Sequence, residues 1–368
     1  MSAPATSIIL GYRDREIWRL SACLKSLLAG TVADLEVIVL DYGSTAAYAQ
    51  ETAQLCQALG PRVRYAYAPV LGQPWNRSQA LNLGAELASG HLLVFGDIDL
   101  VYPGNFIELV AQLAKPGLKV NYRCRYLPPE ATSTDYEQLA AAFGQAPLSA
   151  DTGLGLSILN RADFEKIGGY DERFMIWGIE DIALQYRALQ AGIEHLWLDP
   201  ALACTYHIWH PTAAAGLPKN WYASMWSLYE ETRTQPCLRL ANWASLAERR
   251  LSHGAKPHQT FIINDDVVAH TARFMYGFTA AAPGQVLCLA ADRHHLKTHP
   301  LIEQANKVLK SVGVSYRLGP KEFQDRLWEP EDRYEAAMLY FLLYNRQHLA
   351  DFMIESDEKS IRMTVLKK

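Results

Sequence analysis

Along the first half of the chain, short apolar runs alternate with longer stretches of helical period. Ser7-Ile8-Ile9-Leu10 is too short for a helix and is closed by Gly11, so it reads as a buried strand. From Ile17 to Leu28 apolar positions fall at helical spacing and stop near Gly30, which predicts a helix. The alternation continues with strands over Leu35–Leu40, Val63–Tyr67 and Leu92–Phe95, separated by helices over Ala46–Leu59 and Ser78–Ala88. Strands and helices at this pitch predict an α/β fold, a mostly parallel, Rossmann-like sheet with helices on both faces. Ligands of such sheets gather at the carboxyl ends of the strands. Arg13, Asp41 and Asp97 all fall there.

Between Pro103 and Ser149 the pattern loosens, and only Tyr136–Phe143 reads as a helix. Asp163–Ile167 is a helical turn. Glu180–Gln190 is a helix with Ile182, Tyr186 and Leu189 as its inner stripe and Gly192 as its stop. Thr212–Gly254 is helical and rich in Trp. After Gly254-Ala255-Lys256-Pro257 a second alternation begins, with strands over Phe261–Ile263, Val286–Leu289 and Val314–Tyr316. The helices that accompany them are expected over Val267–Tyr276, Leu301–Val312 and Glu331–Phe352. The expected organisation is a first domain over residues 1–235, a helical linker over 236–256 and a smaller C-terminal α/β domain over 257–368.

Composition narrows the class. The 368 residues are 49% hydrophobic and 20% charged, ordinary for a globular protein. A net charge of −4 leaves no basic footprint for nucleic acid. No run reaches the ~18 apolar residues of a membrane helix, so no membrane span is expected. Met1–Thr6 lacks a basic, then apolar, leader pattern. The 6 Cys are scattered without a C-x-x-C pair, which favours reduced thiols and a cytoplasmic location. The 19 Tyr and 9 Trp are a supply of rings for stacking on bases or sugars. The pairs Asp265-Asp266 and His294-His295 read as solvated surface.

Chemistry concentrates at three places. Asp97-Ile98-Asp99 follows the apolar run Leu92–Phe95, and residues two apart on a strand point to one side. Two carboxylates that close repel unless a cation lies between them. Mg²⁺ or Mn²⁺ bridging to a phosphate suits such oxygens. Glu180 and Asp181 open a helix, where the dipole favours negative charge. His207 and His210 share a face if helical and do not if extended.

In order, five motifs resemble glycosyltransferases of the GT-A fold. The likeness is to the inverting family 2 group and to relatives of the β-1,4-galactosyltransferases and chondroitin-polymerase-type domains. Ser7–Arg15 resembles the first strand with its nucleotide-contacting loop, which implies Gly11, Tyr12, Arg13 and Arg15 on the donor. Val39–Thr45 resembles the second-strand motif, whose Asp, here Asp41, reads the base. Trp75–Gly84 resembles the basic segment before the metal-binding triplet and places Arg77 on the phosphates. Phe174–Asp181 is close to the acceptor-side W-G-x-E-D motif, and His207-Ile208-Trp209-His210 falls where these families carry a metal-binding His. The likeness spans Ser7 to Pro211.

The resemblance implies Mn²⁺ (or Mg²⁺) held by Asp99 with His210 or His207, and Asp97 on the ribose or on the metal through water. Asp181 is implied as the base that takes the acceptor proton, Glu180 as a ligand for acceptor hydroxyls, and Trp177 with Gly178 as the acceptor platform. The reaction implied is metal-dependent, inverting transfer of a hexose or N-acetylhexosamine from a nucleotide sugar, with UDP expected. The acceptor class is a saccharide or glycolipid. Tyr42 stands where many members carry a second acid, Gly11 replaces a common Pro, and Q-x-x-R-W is absent. A sugar-1-phosphate nucleotidyltransferase would need a longer, Gly-rich loop than Gly11–Arg15. A catalytically inactive sugar- or nucleotide-binding scaffold predicts loss of metal or base residues, and all are present.

Overall fold

The computed structural model describes residues 5–30, 32, 34–150, 155–211, 217, 221–252, 254–263, 267–292, 330–357 and 360–368. They form two compact units, Met1–Glu248 and Arg249–Lys368. The first unit opens with β1 (Thr6–Tyr12), α1 (Ile17–Leu28), β2 (Leu35–Tyr42), α2 (Ala46–Ala58), β3 (Val63–Ala68), α3 (Arg77–Leu87) and β4 (Leu92–Gly96). There follow β5 (Leu100–Val101), α4 (Phe106–Leu113), β6 (Leu118–Asn121), β7 (Cys124–Tyr126), α5 (Tyr136–Phe143), β8 (Ser157–Asn160) and α6 (Arg161–Lys166). It ends with α7 (Glu180–Gln190), β9 (Glu194–Trp197), β10 (Thr205–His207), α8 (Trp221–Thr232) and α9 (Trp243–Ala247).

The main sheet runs β3-β2-β1-β4-β8-β6-β9. β1 is parallel to β2 and β4, β2 to β3, and β6 to β9, while β8 is antiparallel to both its neighbours. All eight residues of β2 are buried, as expected of a parallel strand covered on both faces. Alternate residues feed opposite cores. Ile8, Val37 and Val94 pack with Leu20, Leu24 and Leu27 of α1, while Ile9, Leu93 and Phe95 pack with Leu81 of α3 and Leu184 of α7. α3 lies close because Gly84 has no Cβ, which would otherwise sit 2.5 Å from Ile9 Cγ2. This is the α/β arrangement that the alternation predicts, a mostly parallel sheet with helices on both faces.

The sequence reading missed β5 to β10, of which β6 and β7 lie in the loosened stretch and the others flank it. A small second sheet, β5-β10-β7, is built from three such strands. They are two to three residues long, below the length at which a period is visible. The inner face of α7 also needs correction. It buries Ala183, Leu184, Gln185 and Ala188, whereas Leu189 is 52% exposed. Small alanines let the helix sit against the sheet, and Tyr186 turns outward to meet Tyr229 of α8.

Residues 236–248, expected as part of a linker, pack into the first unit. Glu172 is fully buried and accepts hydrogen bonds from Gln79 Nε2 (3.1 Å), Asn82 Nδ2 (2.9 Å), Arg239 Nε (2.9 Å) and the amides of Leu240 (2.7 Å) and Ala241 (3.1 Å). Leu246 of α9 packs with Leu40, Tyr42 and Leu83. Glu172→Ala would leave these donors facing an empty space, so it should cost about 3–5 kcal/mol of stability. A denaturant titration checks this, and a loss below ~1 kcal/mol would refute the assignment.

The second unit carries β11 (Gln259–Ile263), α10 (Val267–Ala280), β12 (Val286–Asp292), α11 (Pro330–Asn345), β13 (Leu349–Ser356) and β14 (Ser360–Lys367). Its sheet order is β11-β12-β14-β13. The helix expected over Glu331–Phe352 therefore stops at Asn345, and its last residues enter β13, paired antiparallel with β14. The expected strand Val314–Tyr316, the helix Leu301–Val312 and the pairs Asp265-Asp266 and His294-His295 lie outside the described residues.

Candidate active site

β4 ends at Gly96 and the chain turns through Asp97-Ile98-Asp99 into β5. Because this is a turn, the two carboxylates take different partners instead of one shared target. Antiparallel pairing of β5 with β10 sets Leu100 opposite His207, and the Ile208 amide donates to the Asp99 carbonyl at 2.8 Å. That register fixes Asp99 beside the histidines. Asp99 Oδ2 lies 2.9 Å from His210 Nε2 and Asp99 Oδ1 3.5 Å from His207 Nε2. The three ligand atoms fall within 4.8 Å of one another, the one such His/Cys/Asp/Glu group among the described residues. His207 is the last residue of β10 and His210 follows in loop, so a bend in the chain brings both to Asp99.

These residues fit a divalent cation. Asp99 is buried, and its Oδ1 has no hydrogen-bond partner although it faces an imidazole. An open buried acceptor is costly unless something completes it. The His210 ring Nδ1 lies 2.8 Å from the Pro211 carbonyl, which can only accept, so Nδ1 carries a proton. Nε2 would then be the coordinating lone pair for a metal, since the other nitrogen of a metal-binding histidine commonly donates to a carbonyl in this way. Without one, Nε2 must also be protonated to donate to Asp99, and that bond raises the His210 pKa. Burial would raise the Asp99 carboxyl, yet the hydrogen bond from His210 and the charge of the two imidazoles hold it below its usual range.

Asp97 belongs to a second cluster. Its Oδ1 accepts from Arg77 Nε at 3.2 Å and Nη2 at 3.0 Å, and Nη2 also reaches the Gly155 carbonyl at 3.0 Å. Arg77 Nη1 is 4.0 Å from Glu180 Oε1 and has no hydrogen-bond partner. Arg77 thus sits, nearly buried, between the turn after β4 and the start of α7, over the Tyr170 ring at 6.0 Å. Burial and the neighbouring Asp181 charge push Glu180 up to about 7. Burial also raises Asp181, opposed by Arg77 and by the hydrogen bond from the Ile182 amide.

The turn into α7 is strained. Ile176 (φ 65°), Gly178 (φ 100°) and Ile179 (φ 75°) are all left-handed, and β-branched side chains rarely adopt this conformation. Each such residue costs about 1–3 kcal/mol and persists where the surroundings over-determine it, often at functional sites. Trp177, within this turn, is 43% exposed. Its carbonyl accepts from Trp221 Nε1, and its ring lies 5.8 Å from that of Tyr222.

The donor-side residues of β1 and β2 are placed less uniformly. Tyr12 is fully buried with its hydroxyl on the Arg15 carbonyl, so its side chain is closed to ligand. Gly11 backs onto Trp75, where a Cβ would meet the indole at 3.1 Å. Arg13 Nη1 donates to the Gln73 carbonyl at 2.6 Å, and Arg15 is exposed. Asp41 is buried, accepting from Tyr65 Oη and the Ser44 amide, both at 2.8 Å. Two groups were missed by sequence reasoning: Glu172, which stands in a turn with no period at all, and the buried Lys119, on a strand of four residues.

Residues 8–168 match the model of Glycosyl transferase family 2, and residues 141–211 match that of the N-terminal domain of galactosyltransferase. The first match contains Asp97–Asp99; the second contains Trp177–Asp181 and both histidines. Residues 8–211 therefore resemble glycosyltransferase domains throughout, the first part like Glycosyl transferase family 2 and the second like the galactosyltransferase domain.

Among curated relatives, human chondroitin sulfate N-acetylgalactosaminyltransferase 2 is 26% identical over 160 residues, 39% of this chain and 28% of its own. The validoxylamine A glucosyltransferase of Streptomyces hygroscopicus subsp. limoneus is 29% identical over 226 residues, 52% of this chain and 49% of its own. The O-antigen biosynthesis protein RfbC of Myxococcus xanthus is 30% identical over 216 residues, 52% of this chain and 16% of its own. The chain thus spans under half the length of each. A crystal structure of GalNAc-T7 with UDP, GalNAc and Mn²⁺ aligns at 16% identity and a TM-score of 0.45, over 61% of this chain and 47% of that one.

Proposed function

We propose that this protein is a metal-dependent, inverting glycosyltransferase that moves a hexose or N-acetylhexosamine from a UDP-sugar to a saccharide or glycolipid acceptor. The observation that carries the reading is the buried Asp99, whose open Oδ1 faces His207 and whose Oδ2 meets His210, two residues from Asp97, which Arg77 links to Glu180 at the start of α7. Mn²⁺ bound there would neutralise charge on the departing diphosphate as a Lewis acid. Mixed imidazole and carboxylate ligands suit Mn²⁺ better than Ca²⁺.

The chain's own residues do the rest. Asp181 takes the proton of the attacking acceptor hydroxyl. Glu180, its neighbour, binds acceptor hydroxyls and can donate when protonated. Trp177 offers an exposed ring face to the acceptor sugar. Arg77 holds Asp97 toward the donor side. Arg13, Arg15 and Asp41 line the nucleotide end, and Gly11 and Tyr12 shape it through their backbone and packing. Among the described residues no helix is long and apolar enough to cross a membrane. All six cysteines are free thiols, in keeping with a cytoplasmic setting.

A panel of nucleotide sugars with and without Mn²⁺ tests the reading. We expect one UDP-sugar to raise the thermal midpoint and to be turned over only with the metal. Stripping the metal with a chelator should remove both effects, and re-addition of Mn²⁺ should restore them. Stabilisation by no UDP-sugar or by UDP would overturn the proposal.

A further inference from the structure

Lys119 is a charged side chain with no exposed surface, a costly placement that calls for a reason. It stands on β6 beside Asn121, two residues on, so both point to the same face of the sheet. Leu118 and Val120 go to the α1 side of the sheet, which leaves Lys119 and Asn121 on the side covered by α7. β6 is antiparallel to β8 and β8 to β4, so β6 and β4 run the same way. Asn121 therefore lies toward the edge where the Asp97–Asp99 turn emerges. Lys119 Nζ donates to Asn121 Oδ1, and Asn121 Nδ2 donates to the Leu156 carbonyl at 3.0 Å, which orients the amide. The lysine is thus stretched toward the end of the strand at which α7 begins, and the Leu156 that Asn121 holds follows Gly155, where a Cβ would lie 3.8 Å from Asp181 Oδ2.

We propose that Lys119 is a positioning residue for Asp181: its buried ammonium, aligned by Asn121, keeps Asp181 the ionised member of the acid pair and leaves the proton to Glu180. The proposal rests on the glycosyltransferase reading of the site. The groups that face Asp181 are Glu180 on its own helix, Arg77 on α3, Lys119 on β6 and Tyr170 before α7, with Asp97 beyond Arg77. Arg77 acts on both acids. Lys119 acts on Asp181, and the attraction is mutual: burial lowers the lysine to about 7, and Asp181 opposes that fall. An asymmetric cation beside a pair of acids is what divides base from hydrogen-bond donor.

The test is Lys119→Met in the full chain, with Lys119→Gln as the second variant because it removes the charge and keeps a donor for Asn121. UDP release from the sugar nucleotide selected by the panel is followed from about pH 5 to about pH 9, with water as acceptor, beside wild type and Asp181→Asn. We expect the acid limb of the rate profile to move up by about one unit in both variants. KM for the nucleotide sugar and the rate on the alkaline plateau should be unchanged. A merely structural lysine would change the thermal midpoint and leave the limb in place, and that result overturns the proposal. So does a raised KM with an unmoved limb. Full activity of Asp181→Asn would instead remove the base assignment itself, so the two failures are distinguishable.

Discussion

Asp181→Asn should lower sugar transfer by about 10²–10⁴-fold while leaving binding of the nucleotide sugar and metal intact. The substitution keeps the shape of the side chain and its bond with the Ile182 amide (2.8 Å), but removes the lone pair that accepts a proton. The pH profile carries the same assignment. Burial raises the Asp181 carboxyl and takes Glu180 to about 7. A base must be ionised, so turnover should rise with pH along a limb above the ordinary carboxylate range and level off once Asp181 has released its proton. The residual rate of Asp181→Asn should lose that limb. Steady-state kinetics with a thermal-shift assay of donor binding read both effects, and full activity in the variant would remove the assignment.

Asp99→Ala should abolish metal-dependent turnover and the thermal stabilisation by Mn²⁺. Altering groups that merely support a metal ligand costs 10–100-fold in affinity, so losing a ligand should cost about 100-fold or more. The expected signature is specific. Apo protein should keep its thermal midpoint to within a few degrees, because the deleted carboxylate already has an open oxygen and one satisfied oxygen. At metal concentrations where wild type gains ~2–3 kcal/mol from binding, the variant should gain nothing. Unchanged Mn²⁺ stabilisation would show that His207 and His210 bind the ion without Asp99, or that no site exists there.

Much of the arrangement was legible beforehand for a physical reason. β2 and β4 are continuous apolar runs because parallel strands are buried on both faces, and such runs stand out. α1 and α7 begin and end where the period predicted, Ile17–Leu28 and Glu180–Gln190. Asp97 and Asp99 follow β4 closely and Glu180 and Asp181 open α7, so their places in these elements could be read. β5, β7 and β10 could not, since strands of two or three residues show no alternation. Lys119 was hidden by the same rule: in L-K-V-N the polar positions look like a solvated face, and nothing local says that α7 covers it.

The sequence by itself determined the class of fold, the order of its elements from β1 to β4 and the residue types available for chemistry, because these follow from period and from neighbours along the chain. Tertiary structure decided how those residues pair. It separated Asp97 from Asp99, giving one to Arg77 and the other to two histidines more than a hundred positions away. It drew residues 236–248 into the first unit through Glu172, and it buried Lys119 behind the helix that carries the acids. Each of these is a contact between segments remote in sequence. Their free energy depends on which charges lose water together, and only the folded chain sets that.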